Sequence, residues 1–361
     1  MILAFILLVS LDCPRAFMLS GKPRSVRKGR LPRTKACDEL EFIVTQDERR
    51  DEARRGDLES AAIALMNTRS VAILTGSLCK LGQESRTETD GPLGALAVAR
   101  AVSALGASAT ILTDECNEAV VRAAVSCADF RVRVFAFPGG ASWGSTEDAQ
   151  LRSIAQGVDH VVAVGRCGPA EDGKYYTKAC HDVTSLVAPL DRLIPMATSY
   201  GVGSTGIGDS ETEVGVGNES LQGLGALSGT KTIDCVTRTD YQIACSVSNW
   251  GGYALAAAMA VVAAQDGRRR PEDLLSRFLP TYADEYESLL RQIDAGAVDS
   301  ASGQSGLSVG GQPLEASLRV LRRLVRAACQ SDAVTMADDQ KGRETLERED
   351  ASGRRGPRFR G

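Results

Sequence analysis

Four short segments of this 361-residue chain concentrate the residue types that move protons or hold small anions. Thr87-Glu88-Thr89-Asp90-Gly91-Pro92 sets two carboxylates just ahead of a helix start, where free backbone amides can hold an anion. Asp90 can equally well cap that helix and complement its dipole. Gly165-Arg166, followed by Glu171-Asp172-Gly173-Lys174-Tyr175-Tyr176, pairs a guanidinium suited to bidentate carboxylate binding with phenolic donors. The competing reading is a solvated turn with a surface arginine. In the stretch from Gly206 to Asn218, glycines such as Gly208 let backbone approach a ligand, and Asp209 and Glu213 supply oxygens for proton transfer or for a metal. Ser246-Val247-Ser248-Asn249-Trp250-Gly251-Gly252-Tyr253 is a strand end running into a helix, with Asn249 placed to cap and Trp250 to wall a pocket or simply to pack.

Other chemistries are poorly served. Gly201, Gly203 and Gly206 spell a formal GxGxxG, but neither a clear preceding strand nor a following helix supports it as a dinucleotide fingerprint. His160 and His181 are the only histidines, which excludes a multi-histidine zinc site and leaves carboxylates as the ligands for any hard cation. The ten cysteines form no CxxC pair and read as mostly buried thiols. A net charge of −4 and the confinement of basic stretches to the chain ends exclude nucleic acid as an expected partner.

The elements that must position these segments alternate between apolar runs and helical spacing. A charged stretch over Gln46 to Arg69, apolar at Leu58, Ala62, Leu65 and Met66, predicts an opening helix. Strands are predicted at Val71 to Thr75, Ala109 to Thr113, Val132 to Phe137 and Val158 to Val164, each but the last followed by a helix. Arg166 to Asn218 reads as loop. Two more strand-like runs follow at Thr232 to Val236 and Ile243 to Val247, then helices at Asn249 to Gln265, Pro271 to Ile293 and Leu314 to Cys329. The expected fold is α/β: an open, mainly parallel sheet with helices on both faces, three-layer and Rossmann-like. In such a sheet the strand ends carrying the four segments gather on one edge. No later segment has the length and apolarity of a membrane span.

Two ends stand apart from that fold. Ile2 to Leu11 is apolar and too short to span a bilayer, and an acid-free basic stretch follows from Lys22 to Lys35. Residues 1–40 therefore read as a targeting presequence, either signal plus transit peptide towards a plastid or a mitochondrial presequence. The folded domain is expected over 41–330 and a disordered polar tail over 331–361.

Together the four segments resemble the C-terminal domain of the D-glutamate cyclase family. The resemblance rests on TETDGPLGALAVARAVSALG (87–106), EDGKYY (171–176), STGIGD with EVGVG (204–217) and VSNWGGYALA (247–256), in family order, with SGQSGLSV (302–309) similar to a last Gly/Ser turn. Gly165 stands where the family usually has Glu, and Gly208 to Glu213 keeps both acids of a Gly-Asp-Gly-Gly-Asn-Glu motif but loses two glycines and the Asn. The resemblance implies conversion of D-glutamate to 5-oxo-D-proline and water by attack of the α-amine on the γ-carboxyl. It would assign Asp90 and Asp209 to acid–base work or metal-assisted polarisation, with Glu88 and Glu213 in support. Arg166 and the amides after Gly91 would hold the α-carboxylate, and Asp172, Gly173, Tyr175, Tyr176, Gly208, Ser248, Asn249 and Trp250 would line the pocket. A divalent cation, Mg²⁺ or Mn²⁺, is the one cofactor entertained, on Asp90, Asp209 and Glu213. The expected partner is a small amino-acid-like carboxylate, with a homo-oligomer open and no membrane contact in the mature form. The alternative is a non-catalytic carboxylate-binding module, or a partner subunit, without the family's N-terminal domain.

Overall fold

The computed structural model describes residues 34–45, 57–81, 84–215, 233–265 and 267–330. Helices α1 (Lys35–Thr45) and α2 (Asp57–Leu65) precede the first strand, β1 (Ser70–Thr75). A hairpin of β2 (Leu78–Leu81) and β3 (Glu84–Thr87) leads into α3 (Pro92–Ala104). There follow β4 (Ser108–Asp114), α4 (Glu118–Val125), β5 (Arg133–Phe137), α5 (Ser145–Gly157) and β6 (His160–Val164). A long excursion ends in α6 (Leu193–Thr198), and then come β7 (Gly203–Gly208), β8 (Tyr241–Ala244) and α7 (Ser248–Ala264). The chain closes with α8 (Pro271–Phe278), α9 (Tyr282–Asp294), the two-residue strands β9 (Ser308–Val309) and β10 (Gln312–Pro313), and a helix α10 over 314–330.

Six strands form one sheet in the order β5-β4-β1-β6-β7-β8, and all five pairings are parallel. The alternation of side chains explains why these runs are strands buried on both faces. Val71 and Ile73 of β1, with Val162 and Val164 of β6, join the core under α1–α4 and α7–α10. Ala72 and Leu74, with Val161 and Ala163, join the core under α5 and α6. The expected three-layer α/β fold is therefore present. Reading outward from β1, successive strands go one way through β4 and β5 and the other way from β6 onward, so the order reverses between β1 and β6. That reversal opens a crevice at the strands' carboxyl ends, where open α/β sheets hold ligands.

Several boundaries differ from the sequence reading. Residues 204–209, expected within a loop, include most of β7, a strand made of Gly, Ser, Thr and a single Ile. Residues 233–236 are irregular, not strand. The helix expected over Pro271 to Ile293 is two helices. Pro280 forces Leu279 into extended backbone and ends α8, and the Thr281 side chain restarts the chain by accepting from Asp284 N, a capping box that opens α9. The core also begins earlier than residue 41: Ala36, Cys37 and Leu40 of α1 are buried in it. The presequence up to Arg33, the tail from Ser331 and residues 46–56 of the opening helix lie outside the described residues.

Helix α7 is buried on nearly all sides, which its Ala-rich sequence permits, and it packs on α3 with almost no space between backbones. A Cβ placed on Gly252 would come within 2.5 Å of Gly94 Cα. This contact brings the amino ends of two helices together at the crevice.

Candidate active site at the carboxyl edge of the sheet

The crevice is tied at its base by Thr75, whose hydroxyl donates to Val164 O across the β1–β6 reversal at 2.9 Å. Gly91 sits on this tie with φ +102, and a side chain there would meet both Thr75 Oγ1 and Val164 O, so only glycine fits. The helices α3 and α7 start here and cap each other. Asp90, one residue before Gly91, accepts from Asn249 N at 2.8 Å and Ser248 N at 2.9 Å, the first amides of α7, and from Gly91 N at 3.0 Å. In return Asn249 Oδ1 accepts from Gly91 N and Gly94 N at the start of α3, each at 2.9 Å. Two orphan helix ends are thus satisfied by exchange. Asp90 does cap a helix, but not its own.

This exchange corrects one expectation. Of the amides at the start of α3, expected to hold a substrate carboxylate, those of Gly91 and Gly94 are occupied by Asn249. Asp90, whose carboxylate carries three buried backbone donors, has a structural part in the crevice as well.

Beside the caps lies a cluster of acids. Lys178 Nζ donates to both oxygens of Asp209 at 2.7 and 2.8 Å and stands 4.0 Å from Glu213. The Ser248 hydroxyl lies 3.3 Å from Asp209 Oδ1 and 3.3 Å from Glu213 Oε2, bridging the two acids. Glu213 also accepts from Asp209 N at 2.9 Å. Gly208 makes room for it, since a Cβ there would lie 2.4 Å from Glu213 Oε2. Glu88 is buried nearby, and the loop 297–311 closes that side: Val298 pairs with Glu88, and Asp299 holds the loop by accepting from Ala301 N, Ser302 N and Gly311 N.

Electrostatics separates these groups. Burial, reinforced by Asp209, pushes Glu213 well above the usual carboxyl range. Burial also raises Glu88, against the pull of Lys178. Burial and Asp209 push Asp90 up to about 7, opposed by Lys178 and the α7 amides. For Lys178 burial works against the charge, but Glu213, Asp209, Glu88 and Asp90 together hold its pKa well above lysine's ordinary value.

The structure therefore brings together Glu88, Asp90, Gly91, Gly208, Asp209, Glu213, Ser248 and Asn249. Other candidates are engaged elsewhere. Arg166, expected to grip a substrate, is wholly buried; it binds both oxygens of Asp114 at 2.5 and 2.7 Å and the carbonyls of Gly76 and Ala188. It acts as a girder beneath the excursion after β6. Tyr175 is buried and donates to Asp191, while Asp172, Gly173 and Tyr176 form a solvent-facing turn in which Tyr176 donates to Asp172. Trp250 packs in the core and donates to Ser317 of α10, the packing role rather than the pocket wall. His160 opens β6 at the opposite edge of the sheet, bonded to Thr205. Sequence reasoning missed Lys178, which had no signal beyond its place two residues after EDGKYY.

Asp90, Asp209 and Glu213 do not form the expected divalent-cation site: among the described residues no three His, Cys, Asp or Glu side chains are grouped to hold a metal ion. The ammonium of Lys178 lies between Asp209 and Glu213 instead. Residues 216–232, which continue the loop after Gly215, lie outside the described residues.

Comparison with known proteins places the chain in a family. The family model described as D-glutamate cyclase-like, C-terminal, matches residues 40–325. The chain is similar to the Homo sapiens protein named D-glutamate cyclase, mitochondrial, with 30% identity over 284 residues, covering 72% of this chain and 46% of that relative. The chain thus spans about half the length of the curated relative it matches.

Proposed function

The chain belongs to the D-glutamate cyclase-like C-terminal family, and from that premise we propose that its acid cluster closes D-glutamate to 5-oxo-D-proline and water. The proton count of this reaction constrains the site. The substrate amine bonds to the γ-carboxyl carbon, one C–O bond breaks, and two protons leave nitrogen and end on the departing oxygen as water. No proton is gained or lost overall. A pair of acids that takes protons from nitrogen and returns them to oxygen is what the reaction needs.

The observation that carries the reading is the Asp209–Ser248–Glu213 bridge. Asp209, ion-paired with Lys178, is the acceptor of the amine proton. Glu213, held protonated by burial, donates to the departing oxygen, and the hydroxyl between them passes the proton on from Asp209 to Glu213; two such rounds move the two protons that water needs. Incubating the purified chain with D-glutamate, L-glutamate and 5-oxoproline, followed by chiral chromatography, tests it. D-glutamate should be consumed and L-glutamate spared. Asp209→Asn and Glu213→Gln should each slow turnover by about 100-fold or more. Equal inertness of both enantiomers would reject the cyclase reading.

One observation favours the alternative of a binding module: Asp209 is already satisfied by an internal ammonium. Saturable binding of D-glutamate in calorimetry without turnover would support it. The name of the human relative places that protein in the mitochondrion, and an organellar location is our proposal for this chain too, tested by imaging a C-terminally tagged full-length protein.

A further inference from the structure

We propose that Lys178 is the positioning residue that makes the four acids of the cluster unequal, by delivering one ammonium to Asp209 from the tip of a hairpin. The inference rests on the cyclisation reading above, since it explains how that cluster keeps an acceptor and donors apart.

The hairpin is a built element. Tyr176 pairs with Asp182 across it, and the tip closes through Thr177 N donating to His181 O and Cys180 N donating to Thr177 O, both at 2.9 Å. Cys180 has φ +62, the left-handed conformation that closes a three-residue hairpin loop and that residues with a side chain seldom adopt. Cys180 is exposed, so no packing of its side chain accounts for that backbone. What the turn achieves is the aim of Lys178. At the base, Val183 N donates to Tyr175 O and Tyr175 N to Thr184 Oγ1, so the tip is presented from a fixed stem.

The aim is selective. Lys178 Nζ meets Asp209 at 2.7 and 2.8 Å but Glu213 only at 4.0 Å, and among the described hydrogen bonds of Nζ both are to Asp209. The charged and titratable groups around it are Glu88 after β3, Asp90 before α3, Asp209 and Glu213 after β7, Asp299 on the loop 297–311, Cys79 beside Glu88, and His181 and Asp182 on its own hairpin. The ammonium meets Asp209 at 2.7 and 2.8 Å against 4.0 Å for Glu213, so the four acids do not share its charge on equal terms. Four acids in equal surroundings would not divide donor from acceptor. With 31% of its side chain exposed against 9% for Asp209, Lys178 is also the more exposed partner of that ion pair.

The test compares wild type, Lys178→Met and Lys178→Arg in two measurements. The first is the pH dependence of kcat/KM for D-glutamate. Lys178→Met should move the acidic limb to higher pH by about one unit or more, and Lys178→Arg should return it to the wild-type position. The second is substrate-free potentiometric titration of the folded proteins, in which Lys178→Met should bind about one additional proton near pH 7, beyond the loss of the lysine itself. Circular dichroism checks folding, and Lys178→Gln replaces the Met variant should that fail to fold. Superimposable profiles, or equal loss of rate at every pH in both the Met and Arg variants, would overturn the inference. Should wild type show no turnover, the cyclase reading fails separately, and the titration alone decides: absence of the additional proton overturns the role of Lys178.

Discussion

At the scale of single residues, the exchange between Asp90 and Asn249 sets the stability of the crevice. Asp90→Ala leaves two buried amides, those of Ser248 and Asn249, without an acceptor, since Gly91 N keeps its bond to Asn249, and should cost about 3 kcal/mol in urea unfolding, more than an ordinary cap. Asn249→Ala should cost about 2 kcal/mol, and a double-mutant cycle should show the two coupled, because they close one ring of bonds. Away from the crevice, Glu285 is buried on α9 and accepts from Tyr253 OH through both oxygens at 2.7 and 2.8 Å. Burial raises it from about 4.5 to about 7. A raised folded-state value means stability that is full below about 4.5 and lost as pH climbs through 7, on the order of 3 kcal/mol. Glu285→Gln should flatten the thermal midpoint between pH 5 and 8, and a variant as pH-sensitive as wild type would refute this. Much of the site was legible at this scale, because acids at strand ends of a parallel sheet must converge. The partners of Asp90 were not, since a capping acid read locally points to its own helix and the true partner lies 159 residues away. Lys178 was not legible either: a lone lysine in a polar loop has the same signature as a solvated one.

At the scale of elements, the hairpin tip is under backbone strain that a single change relieves. Cys180→Gly should stabilise the fold by about 0.5 to 1 kcal/mol, or at least cost nothing, because glycine accepts the left-handed conformation freely. A loss above about 1 kcal/mol in unfolding would mean that the thiol makes a contact of its own. The α3–α7 contact behaves in the opposite way. Gly252→Ala gains helix propensity of about 1 kcal/mol but forces a methyl into the Gly94 backbone, so the midpoint should fall by several degrees. Strands β1, β4, β5 and β6 announced themselves as aliphatic or aromatic runs. Strand β7 did not, and the reason is steric: a Cβ on Gly206 would lie 2.5 Å from Val214 O, so this strand needs small residues where the loop carrying Glu213 folds back over it. A rule that expects β-branched residues in central strands fails where the sheet must let backbone approach.

At the scale of the whole molecule, the folded unit includes residues that the sequence assigned to a leader. Ala36, Cys37 and Leu40 of α1 are fully or almost fully buried, and Thr34 N donates to Glu59 of α2. A chain starting at Thr34 should keep the thermal midpoint of the full chain, whereas one starting at Gln46 should lose roughly 5 kcal/mol, enough to unfold most of it. The parallel sheet itself could be anticipated from the alternation of elements, but its reversal point could not, because nothing in the sequence of α5 shows that this crossover carries the chain from β5 back past β4 and β1 to the far side of β1. The mutual capping of α3 and α7 also bears on how this chain reaches its native state. Its two halves are separated by almost half the sequence, and a ribosome making the chain from its amino end releases Asn249 long after Asp90. Until then Asp90 is a carboxylate with no helix to hold. The acids after β7 likewise wait for Ser248. Loop closure over such distances is slow, so the crevice should be the last region to gain protection in a pulsed hydrogen-exchange refolding experiment, well after the β1–β4–β5 side of the sheet.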